Sequence, residues 1–182
     1  LVYQLEHGLG SCLRARAEMQ VRSLSADDRK ICGQLGISLG ALVVFVPALL
    51  DATAVLRRAA LWSAAYGRPP ALPPAGKVSV PVDSNVEPSW YHAIGYPPFG
   101  PRAVRADQAE RAFSRLLQAT SSGPVALPQE LASWLGCSQG EAGEVAEAMG
   151  LTRVDDERYA FVRPERGRHP HQSRSRRRGG GR

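Results

Sequence analysis

One run in the chain has the spacing of a catalytic nucleophile. Gly36-Ile37-Ser38-Leu39-Gly40 matches the G-x-S-x-G elbow of serine hydrolases. That chemistry needs a strand before the serine and a helix after it, so that the hydroxyl stands exposed on a strained turn. Here a helical pattern comes first and the β-branched run Val43-Val44-Phe45-Val46 follows, with His92 the one downstream histidine inside the part read as folded. The string therefore reads as a glycine-bounded turn entering a buried strand, and a small hydrolase built on Ser38 is the opposing reading. A phosphate-binding P-loop is missing, because Val78 replaces the required hydroxyl after Gly76-Lys77 and no glycine lies five residues earlier. Cys12, Cys32 and Cys137 are an odd number at wide spacing, with no C-x-x-C. They read as reduced, buried thiols of a cytoplasmic protein, not as a disulfide framework or a zinc site. No carboxylate pair argues for acid/base work. The expectation is a chain with no catalytic residue, metal or cofactor of its own.

Charge gives the second lead. The 182 residues carry a formal net charge of +6. Arg163, Arg166, Arg168, Arg174, Arg176, Arg177, Arg178 and Arg182 face a single acid, Glu165, so residues 163–182 hold +7 and the rest of the chain −1. A near-neutral body excludes a uniformly basic nucleic-acid-binding domain. Arginines on a Gly/Ser-rich chain bind RNA or single-stranded DNA through phosphates, without sequence preference, and the same composition serves a merely solubilising terminus. With no Phe, Tyr or Trp, these residues offer nothing for bases to stack on. Arg57, Arg58, Arg102 and Arg105 are weaker candidates on the body, equally able to make ordinary ion pairs. Glu141, Glu144 and Glu147 form a stripe at i, i+3, i+6 beside Gln139. Phosphates would repel that face, so it reads as a solvated or protein-contacting helix and not as a reader of bases.

The elements that must position these residues are short, as 18 Gly and 14 Pro imply. Leu1–Leu24 reads as helix broken at Gly8-Leu9-Gly10. Ser25-Ala26-Asp27-Asp28 is a capping signature for a helix to about Gln34. Gly33–Leu50 lacks a formal charge over nearly the length of a membrane span, but Gln34, Pro47 and the valine cluster make it a turn and a buried strand, Leu42–Val46. Asp51 opens a helix with Val55, Ala59, Trp62 and Tyr66 at core spacing. Residues 68–76 are a polyproline-like connector. A strand at Lys77–Val82 and a short helix near Pro88–Ile94 precede irregular extended chain over Tyr96–Arg102. Ala103–Ala106 reads as a short strand. Asp107 caps a helix to Ala119 whose Arg111 and Arg115 suit the dipole. Pro128–Leu135, then Ser138–Met149, then strands at Leu151–Val154 and Arg158–Val162 give a helix-turn-helix plus hairpin.

The fold class expected is α+β, mainly α: a helical region with short strands, a C-terminal winged-helix-like unit and a disordered basic tail. The segments are 1–67, the 68–76 connector, a mixed segment 77–124, the unit 125–162 and the tail 163–182.

Phe45-Val46-Pro47-Ala48-Leu49-Leu50, followed by Leu56-Arg57-Arg58-Ala59-Ala60-Leu61-Trp62, resembles a stretch near the C-terminus of alphaproteobacterial superfamily-two DExH-box helicases similar to the mitochondrial degradosome RNA helicase. Leu35-Gly36-Ile37, Val78-Ser79-Val80-Pro81, Gly95-Tyr96, Arg105-Ala106-Asp107 and Met149-Gly150-Leu151 fit in order, and Asp51 stands where members often carry Lys. The resemblance implies a non-catalytic accessory region packed in cis on two motor domains, which lie upstream and hold ATP and magnesium. The alternative is a free-standing winged-helix regulator or protein-interaction module.

Overall fold

The computed structural model describes residues 1–161. Helix α1 (Val2–His7) stops at Gly8, and the chain turns through Leu9 and Gly10, both at positive φ, into strand β1 (Ser11–Leu13). A 3-10 turn (Arg14–Ala17) then leads into α2 (Glu18–Ser23). The helical reading of Leu1–Leu24 is thus corrected at its centre: pairing with a later strand buries Ser11 and Cys12 and overrides local helix spacing. Met19 in α2 is 77% exposed. Helix α3 (Ala26–Gln34) carries the expected capping box, in which Ser25 Oγ accepts from Asp28 N at 3.1 Å and the Asp28 carboxylate accepts from Ser25 N at 3.0 Å.

Strands β2 (Ser38–Leu39) and β3 (Val43–Phe45) follow, then a 3-10 turn at Pro47–Leu50 and α4 (Ala52–Tyr66), whose first turn is capped by Asp51. Beyond the proline-rich connector come β4 (Ser79–Pro81), α5 (Pro88–Ala93), β5 (Pro98–Phe99), β6 (Arg102–Val104) and α6 (Ala106–Ala119). Strand β7 (Val125–Ala126), α7 (Leu131–Leu135), α8 (Gln139–Ala148), β8 (Thr152–Arg153) and β9 (Arg158–Ala160) complete the described chain. The architecture is α+β.

The strands form three antiparallel sheets of three, in the orders β1-β3-β2, β4-β6-β5 and β7-β9-β8. Ser11 lies opposite Phe45, Ser79 opposite Val104 and Val125 opposite Tyr159. Strand β5 falls where the prolines predicted irregular chain. It is an edge strand, where a residue without an N–H costs no ladder bond.

Alternation along the middle strands explains their apolar runs. Val43 and Phe45 enter a cluster with α6, α7 and α8, while Val44 between them enters a second cluster with Leu5, Cys12, Ala17 and Val21. Likewise Val104 joins the first cluster, and Ala103 joins a third built on Ala59, Trp62, Trp90, Tyr91 and Ile94. A strand buried on both faces has no need of polar residues, hence Val-Val-Phe. Trp62 is edge-on to Trp90 with centroids 5.2 Å apart, and its Nε1 donates to Ser89 Oγ at 3.0 Å. Tyr66, at the end of the same stripe, stacks on Trp62 yet stays 64% exposed.

Candidate nucleic-acid interface

Helix α6 has a clean division of faces. Ala106, Ala109, Ala112, Phe113 and Leu116 recur at three- and four-residue steps and are buried. Opposite them Arg111, Ser114, Arg115 and Gln118 are exposed, a polar stripe with no acid. Among the described residues neither guanidinium meets a carboxylate. Arg115 lies over the Trp134 ring of α7, 4.4 Å from its centroid, a cation–π contact that orders the side chain without neutralising it. Sequence reasoning used these two arginines only as partners of the helix dipole. The signal available was their i, i+4 spacing opposite the Ala109–Phe113–Leu116 ridge.

The same helix is anchored by an inward acid. Glu110 accepts hydrogen bonds from three consecutive backbone N–H groups of the β2–β3 turn, Ala41 at 2.9 Å, Leu42 at 2.6 Å and Val43 at 2.6 Å. Arg14 donates to Gly40 O at 3.1 Å on the other side of that turn. A Cβ at position 40 would collide with the Glu110 carboxylate and the Val43 carbonyl, so the second glycine of the G-x-S-x-G string is there for the clamp. Ser38 pairs with Phe45 inside an antiparallel hairpin. It sits in a short strand, where the sequence reads as a glycine-bounded turn, and not on a strand-to-helix elbow.

Helix α8 presents the opposite charge, but most of it is answered. Ser138 Oγ and the Glu141 carboxylate form a capping box, with Ser138 N donating at 2.8 Å. The Ser138 hydroxyl and backbone N–H, then Arg102, hold the Glu141 carboxyl below the ordinary carboxylate range. Glu147 pairs with Arg153 at 3.0 Å, and Arg153 also lies over Tyr159. Reading the three glutamates as one solvated acidic face is therefore corrected, since two are tied to neighbours and Glu144 alone stands exposed without a partner among the described residues.

The four weaker arginine candidates separate. Arg57 is exposed. Arg105 is bound by Asp107 at 2.6 Å, so Asp107 holds an arginine and does not cap α6, whose N-cap position is Arg105 itself. Arg102 donates to Ser79 Oγ and Gly136 O and faces Glu141 at 3.6 Å. Arg58 is 3% exposed and unable to reach a nucleic acid. It donates to Leu49 O, Ser11 Oγ and His92 O at 3.1 Å each and to Gly8 O at 3.4 Å, while its Nε has no partner. With carbonyls and no acid around it, burial pushes its pKa down to about 10, so it stays charged at neutral pH.

The tail candidates Arg163, Arg166, Arg168, Arg174, Arg176, Arg177, Arg178 and Arg182 lie outside the described residues. Phe161, the last described residue, packs edge-on against Phe113 of α6 at 5.8 Å. Among the described residues no group of three or more His, Cys, Asp or Glu could hold a metal ion, and no helix is long and apolar enough to cross a membrane. Compared with protein-family models, with curated proteins and with solved structures, the chain finds no match, so the candidate interface stands on its own geometry.

Proposed function

We propose that the chain is a non-catalytic nucleic-acid-binding region, the C-terminal part of an ATP-dependent RNA or DNA helicase, packing on motor domains that carry ATP and magnesium. The observation that carries the binding part is the stripe Arg111–Arg115 on α6, exposed and free of carboxylates among the described residues. Two guanidiniums one helical turn apart can hold successive phosphates of a single strand, and the arginines from Arg163 onward begin two residues after a side chain packed on the same helix. The order helix, strand, helix, helix, hairpin is that of a winged-helix unit, whose third helix usually enters the major groove. In this chain that helix is α8, so the proposal moves the phosphate contact to α6. The three free thiols fit a cytoplasmic setting.

The test is fluorescence anisotropy of the full chain with mixed-sequence single-stranded RNA and DNA over a salt series. Arg111→Ala with Arg115→Ala is expected to weaken binding, and removal of residues 163–182 to weaken it further. Binding unchanged by both alterations would refute the proposal. The helicase part requires a Walker A and a DExH box in the same reading frame ahead of Leu1; a reading frame without them would leave the alternative. That alternative, a free-standing winged-helix regulator or protein-interaction module, is favoured by one feature. Pairing of Glu141 and Glu147 leaves Gln139 and Glu144 as the outward polar groups of α8, a mild surface suited to protein contact.

A further inference from the structure

A small cavity of about 80 Å³ opens where α1, β1, the following 3-10 turn and α5 meet. Its polar lining comes from Gln4, His7, Arg16, Ser89 and His92. Four of these side chains, Gln4, Arg16, Ser89 and His92, share one property: each has donor capacity that no described residue takes up. The Arg16 guanidinium, the Gln4 carboxamide and the His92 ring make no hydrogen bond among the described residues, and Arg16 has no acid partner. His7 Nδ1 donates to the Tyr3 carbonyl at 3.1 Å, so its Nε2 is an acceptor in the neutral ring and a donor to an anion only in the imidazolium. Ser89 Oγ accepts from Trp62, which leaves its own O–H to donate. The Ser11 hydroxyl, which also lines the cavity, has by contrast no proton to spare, donating to His92 O while accepting from Arg58.

No aspartate or glutamate lines the space. Burial pushes the Cys12 thiol up, so it adds no negative charge at neutral pH. Burial and the charge of Arg16 push His92 down to about 4. The cavity is thus donor-rich and electropositive, and its volume is several times the roughly 10–15 Å³ that a single water needs.

We propose that this cavity binds one tetrahedral oxyanion, a phosphate group either free or carried on a nucleic acid, through Arg16, His7 and His92. The site is independent of the α6 face and does not rest on the helicase reading. Arg16 supplies the fixed charge, the His92 ring and the Ser89 hydroxyl supply directed donors, and His7 adds one through Nε2 as the imidazolium. A bound anion reverses the field that Arg16 sets at His92. His92 then takes up a proton more readily, and by linkage binding tightens as pH falls from neutral toward 5. The charged and titratable groups facing His92 are His7 from α1, Cys12 from β1, Arg16 from the 3-10 turn and Arg58 from α4, through the His92 carbonyl.

The four histidines provide the readout, since His169 and His171 lie in the arginine-rich segment and report ordinary ion condensation there. Imidazole proton resonances of the full chain are followed while inorganic phosphate replaces chloride at constant ionic strength. The expected result is a saturable shift of His7 and His92, with His169 and His171 drifting without saturation. Arg16→Gln, at an exposed side chain without a protein partner, is expected to keep the methyl spectrum of the fold and weaken the His92 response about tenfold. Sulfate, doubly charged throughout, is expected to bind more tightly at pH 5 than at pH 7. A dinucleotide with and without a 5′-phosphate separates the sources. Saturation by inorganic phosphate assigns the site to a free anion or monoester, and saturation by the dinucleotides alone assigns it to a nucleic-acid phosphate. No saturable shift of His92 with any probe, equal shifts at all four histidines, or the same response in Arg16→Gln overturns the proposal.

Discussion

Helices α6 and α8 pack into one hydrophobic cluster and turn charged faces outward, yet their charges have different fates. The sequence of α8 looks strongly acidic, but Arg102 reaches Glu141 and Arg153 reaches Glu147. Helix α6 looks balanced, with Glu110 and Asp107 beside Arg111 and Arg115, but its acids turn away. Glu110 clamps a backbone turn and Asp107 holds Arg105, which leaves the two arginines alone on the surface. The potential a helix shows to a partner is therefore set by which side chains are already bound, not by which it contains.

The difference can be broken at four points, in falling order of effect. Removing the inward anchor of α6 by Glu110→Ala leaves three backbone N–H groups without their charged acceptor, and is expected to cost about 3 kcal/mol, read from the urea midpoint. A midpoint within experimental error of wild type would show that water replaces the carboxylate at no cost. The pair Arg111→Ala and Arg115→Ala is expected to lower single-strand affinity about tenfold at low salt and to flatten the salt slope by about 1.4, two phosphate contacts' worth. An unchanged slope would place the phosphate contacts elsewhere. On α8, Ser138→Ala removes the cap and one support of Glu141, an expected loss of about 1 kcal/mol in stability with binding retained. Last, Glu144→Gln neutralises the one unpaired acid of the stripe and is expected to change affinity by no more than about twofold. A clear change of affinity there, in either direction, would mean that α8 faces the nucleic acid.

Local signals were legible where they act locally. The capping serines Ser25 and Ser138, the Asp51 start of α4 and the hairpin turn at Asp155 all follow from side-chain-to-backbone chemistry within four residues. What escaped was made by distant partners. β1 reads as helix until β3 pairs with it, and β5 reads as irregular until an edge position makes Pro98 harmless. Arg58 looked like its exposed neighbour Arg57, because nothing adjacent announces that carbonyls of Gly8, Leu49 and His92 will surround it. The α6 stripe was visible as spacing, but its freedom from acids depends on where Glu110 and Asp107 point, which no local pattern encodes.

Strand β3 sends Val43 and Phe45 one way and Val44 the other, and β6 divides Ala103 from Val104 between two clusters. Such strands tie the unfolding of one cluster to that of the next, because peeling β3 from either side strips a wall from both. Clusters that share such walls are expected to melt together. Trp62 and Trp90 sit in one cluster and Trp134 lies against another, so shared walls of this kind are expected to make all three tryptophans report a single transition in urea.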